Sequence, residues 1–262
     1  MPIIGQRILL DTLSTQPLPQ FSILWGESGS GKCTVAQYLS EVNNYIFKRI
    51  ETKVDDIRQL IADTVGLSSK TLYYIKGDTL TIQAQNALLK LAEEPPRNAY
   101  IIVGVCNIDN LLPTIRSRAK TFMMDNYTYR ELEQAYDTFN LVDIPKDKLC
   151  NISATPGQLL RYNELDFNGL LSYAEKVYDN ILKVSTGNAF KICNKIDFKG
   201  DKGYPVIEFL QVFTQVILEH ELTVVSSKMI EFTAQALRDM QIRGANKALI
   251  FDIWVLNIRS LR

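Results

Sequence analysis

A short apolar run, Phe21-Ser-Ile-Leu-Trp25, passes without a break into Gly26-Glu-Ser-Gly29-Ser30-Gly31-Lys32-Cys33. The run reads as a buried strand, and Val35, Ala36, Tyr38, Leu39 and Val42 recur just beyond it at helical spacing. Strand, glycine-rich turn and helix are the setting in which the pattern GxxxxGK[ST] cradles phosphate, and every fixed position matches except the last. The glycines let backbone N–H groups turn toward phosphate oxygens, the helix start adds positive potential, and Lys32 reaches the terminal phosphates. Gly26, Gly29, Ser30, Gly31, Lys32, Cys33 and Thr34 are therefore the candidate nucleotide-binding residues, with ATP or ADP as a weakly held ligand. A Gly/Ser-rich turn with a solvent-facing lysine is the competing reading. Cys33 stands where a hydroxyl normally holds magnesium, a hard cation that prefers oxygen to sulfur, and Thr34 is one residue out of register. The expectation is a loop that holds phosphate and holds magnesium poorly.

Three further strand candidates, Tyr45–Ile50, Thr71–Ile75 and Tyr100–Val105, alternate with helical periodicity over Val54–Val65 and beyond. That alternation predicts an α/β domain with a parallel sheet covered on both faces. After Met124 the strand signals fade into helices punctuated by Pro145, Pro156-Gly157, Gly200 to Gly203 and Pro205. The expected division is 1–124, an α/β P-loop domain; 125–166, a small helical lid; and 167–262, an all-helical domain. Lysine plus arginine equals aspartate plus glutamate at 29 each, which excludes a global basic field of the kind that drives nonspecific DNA binding. Cys33, Cys106, Cys150 and Cys193 form no CxxC pair, so neither zinc nor disulfides are expected. No stretch approaches the roughly 18 apolar residues of a membrane span, and the first residues lack a secretory pattern, so the cytoplasm is the expected location. His220, the sole histidine, has no catalytic partner in its neighbourhood of sequence, and Tyr173, Tyr178, Phe209, Phe213 and Trp254 read as core or interface rather than a base-stacking platform. Ala245–Arg259 reads as a final amphipathic helix.

The segment Gln83-Ala-Gln-Asn86-Ala-Leu-Leu-Lys90-Leu-Ala-Glu93-Glu94-Pro95-Pro96 resembles a helix shared by the bacterial and phage clamp-loader subunits of DNA polymerase III, of delta-prime and gamma type. Ile4-Gly5-Gln6, Val54-Asp-Asp-Ile57-Arg58-Gln-Leu60 and Leu111-Leu-Pro113-Thr-Ile-Arg-Ser117-Arg118-Ala119 follow the same family in order, and the last is similar to its SRC motif. The resemblance covers about the first 120 residues and implies an AAA+ domain, a lid and an oligomeric collar. It also implies where the catalytic parts fall. The acidic Walker-B pair would lie at Ile75 and Lys76, neither acidic, leaving Asp78 as a weak metal candidate. The sensor-1 position is Asn107 or Cys106, with Asn107 the chemically adequate one; the sensor-2 arginine is replaced by Gly157, with Arg161 one turn on. Arg118 would be an arginine finger given in trans to a neighbour's nucleotide. The family's four-cysteine zinc module is absent. The implied role is a delta-prime-like subunit, without robust ATPase activity of its own, that works with other clamp-loader subunits, a sliding clamp and primer–template DNA reached through the assembly. A competent gamma-like ATPase and a nucleotide-binding scaffold that never meets a clamp are the rivals.

Overall fold

The computed structural model describes residues 3–141, 144–198, 203–242 and 244–262. Its chain forms two compact units, one of Met1–Phe139 with Ser153–Leu159, the other of Asn140–Ile152 with Leu160–Arg262.

The first unit begins with α1 (Arg7–Thr15), β1 (Phe21–Trp25), α2 (Lys32–Val42), β2 (Ile46–Ile50), α3 (Val54–Asp63) and β3 (Thr71–Lys76). It continues through α4 (Ile82–Glu93), β4 (Ala99–Val105), α5 (Pro113–Arg116), β5 (Lys120–Met123) and α6 (Tyr129–Thr138). The five strands are all parallel, in the order β2-β3-β4-β1-β5. Successive side chains leave a strand on opposite faces, so a sheet covered on both sides needs continuous apolar runs. Ile23, Tyr73, Ile75, Ile101 and Val103 face one way and pack on Ile57, Leu60, Ala84 and Leu88 of α3 and α4. Leu24, Leu72, Tyr74 and Ile102 face the other way, onto Leu9, Leu13, Val35 and Leu39 of α1 and α2. The four strands expected from sequence are present, and β5 and α1 are additions. β5 is short and half-exposed at the sheet edge, pairing only with β1, and so carries little apolar signal.

The second unit contains α7 (Lys146–Ile152), the later turns of α8 (Pro156–Glu164), α9 (Phe167–Ile181), α10 (Thr186–Ile192), α11 (Val206–Glu219), α12 (Val224–Met240) and α13 (Lys247–Arg259). A two-residue parallel pair, β6 (Ile196–Asp197) with β7 (Tyr204–Pro205), is added to the helices. Gly200, part of the break marked in the sequence, lies outside the described residues. Phe209, Phe213 and Trp254 are buried, with Trp254 in edge contact with Phe213 at 5.1 Å and donating from Nε1 to Thr233 Oγ1 at 3.0 Å. Tyr173 is buried as well, and Tyr178 stacks on His220 at 4.6 Å. The last helix starts two residues later than its periodicity suggests because Asn246 caps it, accepting from Leu249 N at 3.2 Å. Phe251, Trp254, Val255 and Ile258 of α13 are buried, while Leu249, Ile253 and Leu256 are exposed. Among the described residues no helix is long and apolar enough to cross a membrane.

Candidate functional site

The glycine-rich loop leaves the C-terminal end of β1, inside the sheet, and closes on the first turn of α2. Gly29 has φ +81°, and a Cβ there would stand 2.7 Å from Thr155 Oγ1 and 2.9 Å from the Cα of Gly157, so both the backbone angle and the space demand glycine. Gly31, the N-cap of α2, has φ +85° and no side chain caps the helix, which leaves the first amides of α2 unpaired by construction.

The carbonyls of the loop, by contrast, are all engaged. Lys32 Nζ donates to Gly26 O and to Glu27 O, each at 2.8 Å. Thr155 Oγ1 donates to Ser28 O at 2.8 Å, Gly157 N to Gly29 O at 3.0 Å and Tyr127 OH to Ser30 O at 2.7 Å. Five successive carbonyls thus accept hydrogen bonds, a pattern that fixes the loop's shape with its oxygens turned into protein. Gln6, buried beneath, exchanges two hydrogen bonds with the backbone of Asp125, both 2.8 Å, and so sets the segment that carries Tyr127. Lys32 is 8% exposed, which rules out the solvent-facing turn. Burial lowers its pKa, with Cys106, Asp78 and Glu27 opposing that shift.

Above the loop lies a cavity of about 280 Å³ bounded by Lys32, Cys33, Arg49, Lys76, Asp78 and Cys106, among others. Ile75 is fully buried in the α3/α4 side of the sheet, whereas Lys76 reaches this cavity. Asp78 sits in a 3-10 turn, Gly77–Thr79, and its Oδ1 accepts from Cys106 N at 2.7 Å. Burial raises the Cys33 thiol pKa while Arg49 opposes the rise. Thr34 does not line the cavity. Among the described residues no group of three or more His, Cys, Asp or Glu side chains is placed to hold a metal ion.

Of the two sensor-1 candidates, Cys106 is the one at the loop, with Sγ 3.9 Å from Lys32 Nζ. Asn107 accepts from Asp109 N at 2.9 Å and caps the 3-10 turn Ile108–Asn110. At Gly157 a Cβ would stand 2.5 Å from the Cα of Gly29, so the loop backbone itself occupies the space a side chain would need. Arg161, in the second unit, is ion-paired with Glu208.

Arg118 follows α5. One guanidinium nitrogen is 2.9 Å from Glu93 Oε1 and another donates to Thr114 O at 3.0 Å, with 38% of the side chain exposed. Nearby, Gln85 is 1% exposed; its Nε2 donates to Asn110 O at 3.0 Å and its Oε1 accepts from Leu112 N at 2.8 Å, tying α4 to the chain that leads into α5. Sequence reasoning gave no role to Gln85, Tyr127, Thr155 or Arg49. Gln85 and Gln6 stand inside the segments that carry the family resemblance, and a polar residue at a core-facing helix position was the available signal for Gln85.

A five-stranded parallel sheet with a P-loop after β1 and helices on both faces has the architecture of an AAA+ domain. The sequence profile of the family "DNA polymerase III, delta subunit" matches residues 26–128. The gamma subunit of DNA polymerase III from Buchnera aphidicola is 29% identical over 102 residues, 36% of this chain and 28% of the relative. The delta' subunit from Haemophilus influenzae is 35% identical over 71 residues, 27% of this chain and 22% of the relative. The chain thus matches less than a third of either relative's length. In fold, a gamma-subunit-related protein of Thermotoga maritima superposes with TM-score 0.56 at 20% identity, covering 98% of this chain and all of that one. The Thermotoga maritima RuvB Holliday junction branch migration motor gives TM-score 0.51 at 17% identity over 98% of this chain and 88% of its own. Over its P-loop segment the chain is thus similar in sequence to DNA polymerase III clamp-loader subunits, and it shares their fold.

Proposed function

We propose that the chain is a delta-prime-like subunit of a DNA polymerase III clamp loader, with a degenerate nucleotide site, that gives Arg118 to a neighbouring subunit's ATP. The observation that carries this reading is Lys76, which lines the P-loop cavity where the family has a carboxylate. A lysine there cannot hold magnesium or polarise an attacking water, so the site lacks the means to turn over its own nucleotide. The half-exposed Arg118 guanidinium supports the second part, because a finger must reach beyond its own subunit. Other clamp-loader subunits are its direct partners, and the assembly brings it to a sliding clamp and primer–template DNA in the cytoplasm. The division into an AAA+ domain (1–124), a lid (125–166) and a collar (167–262) belongs to the same proposal.

The test is ATP turnover by the reconstituted assembly, with clamp and primed DNA, using wild-type and Arg118→Ala chains at equal incorporation. Lower turnover with the variant is expected, and equal turnover sinks the finger. Asp78, in the same cavity, favours a gamma-like ATPase as the second reading. Asp78-dependent hydrolysis by the isolated chain would establish it.

A further inference from the structure

Three cationic side chains from three elements meet in the cavity above the loop, and one carboxylate accompanies them. Arg49 lies opposite Tyr74 in the β2–β3 register, and alternation puts Arg49, Tyr74 and Lys76 on one sheet face. Tyr74 packs in the core beneath α1 and α2, so this is the face that carries the P-loop helix. Lys32 joins from the start of α2. Asp78 is engaged with the Cys106 amide, and neither Arg49 nor Lys76 is ion-paired among the described residues. Tyr74 acts as a wall: it fills the space over Gly104, where a Cβ would be 2.3 Å from its hydroxyl oxygen.

We infer that this cavity is a metal-independent site for a diphosphate or triphosphate chain, in which Arg49 and Lys76 supply the positive charge that a divalent cation supplies elsewhere. A divalent ion placed here would meet three cations and one occupied carboxylate, whereas a phosphate chain meets complementary charge from Lys32, Arg49 and Lys76 and like charge from Asp78 alone. The guanidinium of Arg49 offers paired donors to phosphate oxygens, and the two ammonium groups act as point charges beside it. At about 280 Å³ the cavity falls just below the roughly 300–1,000 Å³ of whole-ligand pockets, a size for the phosphate chain rather than for a nucleoside.

The inference deepens the preceding reading, since it assumes a P-loop that holds phosphate without hydrolysing it. The two can fail separately. Binding is measured on the isolated chain, while the finger is read from turnover of the assembly through Arg118, which does not line this cavity.

The experiment is calorimetric titration of the full chain with inorganic pyrophosphate, ADP and ATP, in EDTA and then in excess magnesium. Binding in EDTA is expected, with no tightening of pyrophosphate by magnesium and an affinity that falls as salt rises. Arg49→Met and Lys76→Met should each weaken binding by roughly tenfold or more, the size of one charge-assisted contact. Equal affinity for pyrophosphate and ADP identifies the bare phosphate chain as ligand; tighter ADP identifies a nucleoside phosphate. Magnesium-dependent binding, a salt-independent affinity, an unchanged affinity in the folded double variant, or no binding of any of the three at millimolar concentration overturns the inference. The salt series on wild-type protein keeps the test decisive if a variant does not fold.

Discussion

Gly157→Ala separates a P-loop held by α8 from one that stands free. If α8 merely began near the loop, alanine in its first turn would be neutral or stabilising, by up to about 1 kcal/mol, because it lowers the entropy of the unfolded chain and favours helix. The geometry requires the opposite. The added Cβ would stand 2.5 Å from Gly29 Cα and 2.9 Å from Gly29 O, backbone atoms with no rotamer in which to escape. Restoring ordinary contact moves the two backbones apart by about an ångström, an overpacking cost of about 1–3 kcal/mol. The same movement strains the bonds from Gly157 N to Gly29 O and from Thr155 Oγ1 to Ser28 O, each contributing about 1 kcal/mol. With the helix gain subtracted, the net loss is about 2–4 kcal/mol. At about 2–4 °C per kcal/mol that is a fall of several degrees in the first melting transition, followed by circular dichroism. A melting temperature equal to or above wild type would refute the contact and the reasoning built on it.

Gln85→Met keeps the side-chain volume but strands Leu112 N and Asn110 O, and should destabilise the first unit by about 2–3 kcal/mol in urea titration. Lys32→Ala should leave the isolated chain's ATP turnover where it was, at background, in a steady-state assay; strong Lys32-dependent hydrolysis would contradict the proposed function. Arg118→Lys should not restore the assembly's turnover to wild type, because an ammonium lacks the paired donors of a guanidinium. Burial raises the Cys193 thiol from 9.0 to about 12. Its neutral form is therefore favoured in the folded chain, so the stability it contributes is present below pH 9 and is lost as pH rises toward 12. Denaturant midpoints taken across that window should fall, and Cys193→Ser should flatten part of the fall.

The parts legible in the sequence were those that adjacent residues encode. Phe21–Trp25 and the glycines after it announce strand, loop and helix because their order along the chain is also their order in space. β5 escaped because Lys120-Thr-Phe-Met123 lies at an edge and buries little, so its alternation is weak. Arg49 escaped for a different reason: nothing local distinguishes it from any charged residue on an edge strand, and only the β2–β3 register turns it toward Lys76. Register also separates Cys106 from Asn107, where a one-residue step decides which side chain meets Lys32 and which caps the next turn. Thr155 and Tyr127, more than ninety residues from the loop carbonyls they bind, carry no signal short of the fold itself.

Gly29 and Gly157 stand so close that each occupies the place of the other's missing Cβ. Such a pair works as a ratchet on descent. A lineage that carries both glycines can regain a side chain at either in a single step only by forcing the two backbones apart, at a cost in stability. The arginine that the family resemblance would place at 157 is therefore shut out by the neighbouring loop, and its return would require Gly29 and its flanking turn to move first. Sequences descended from this one should keep the two glycines together or lose them together.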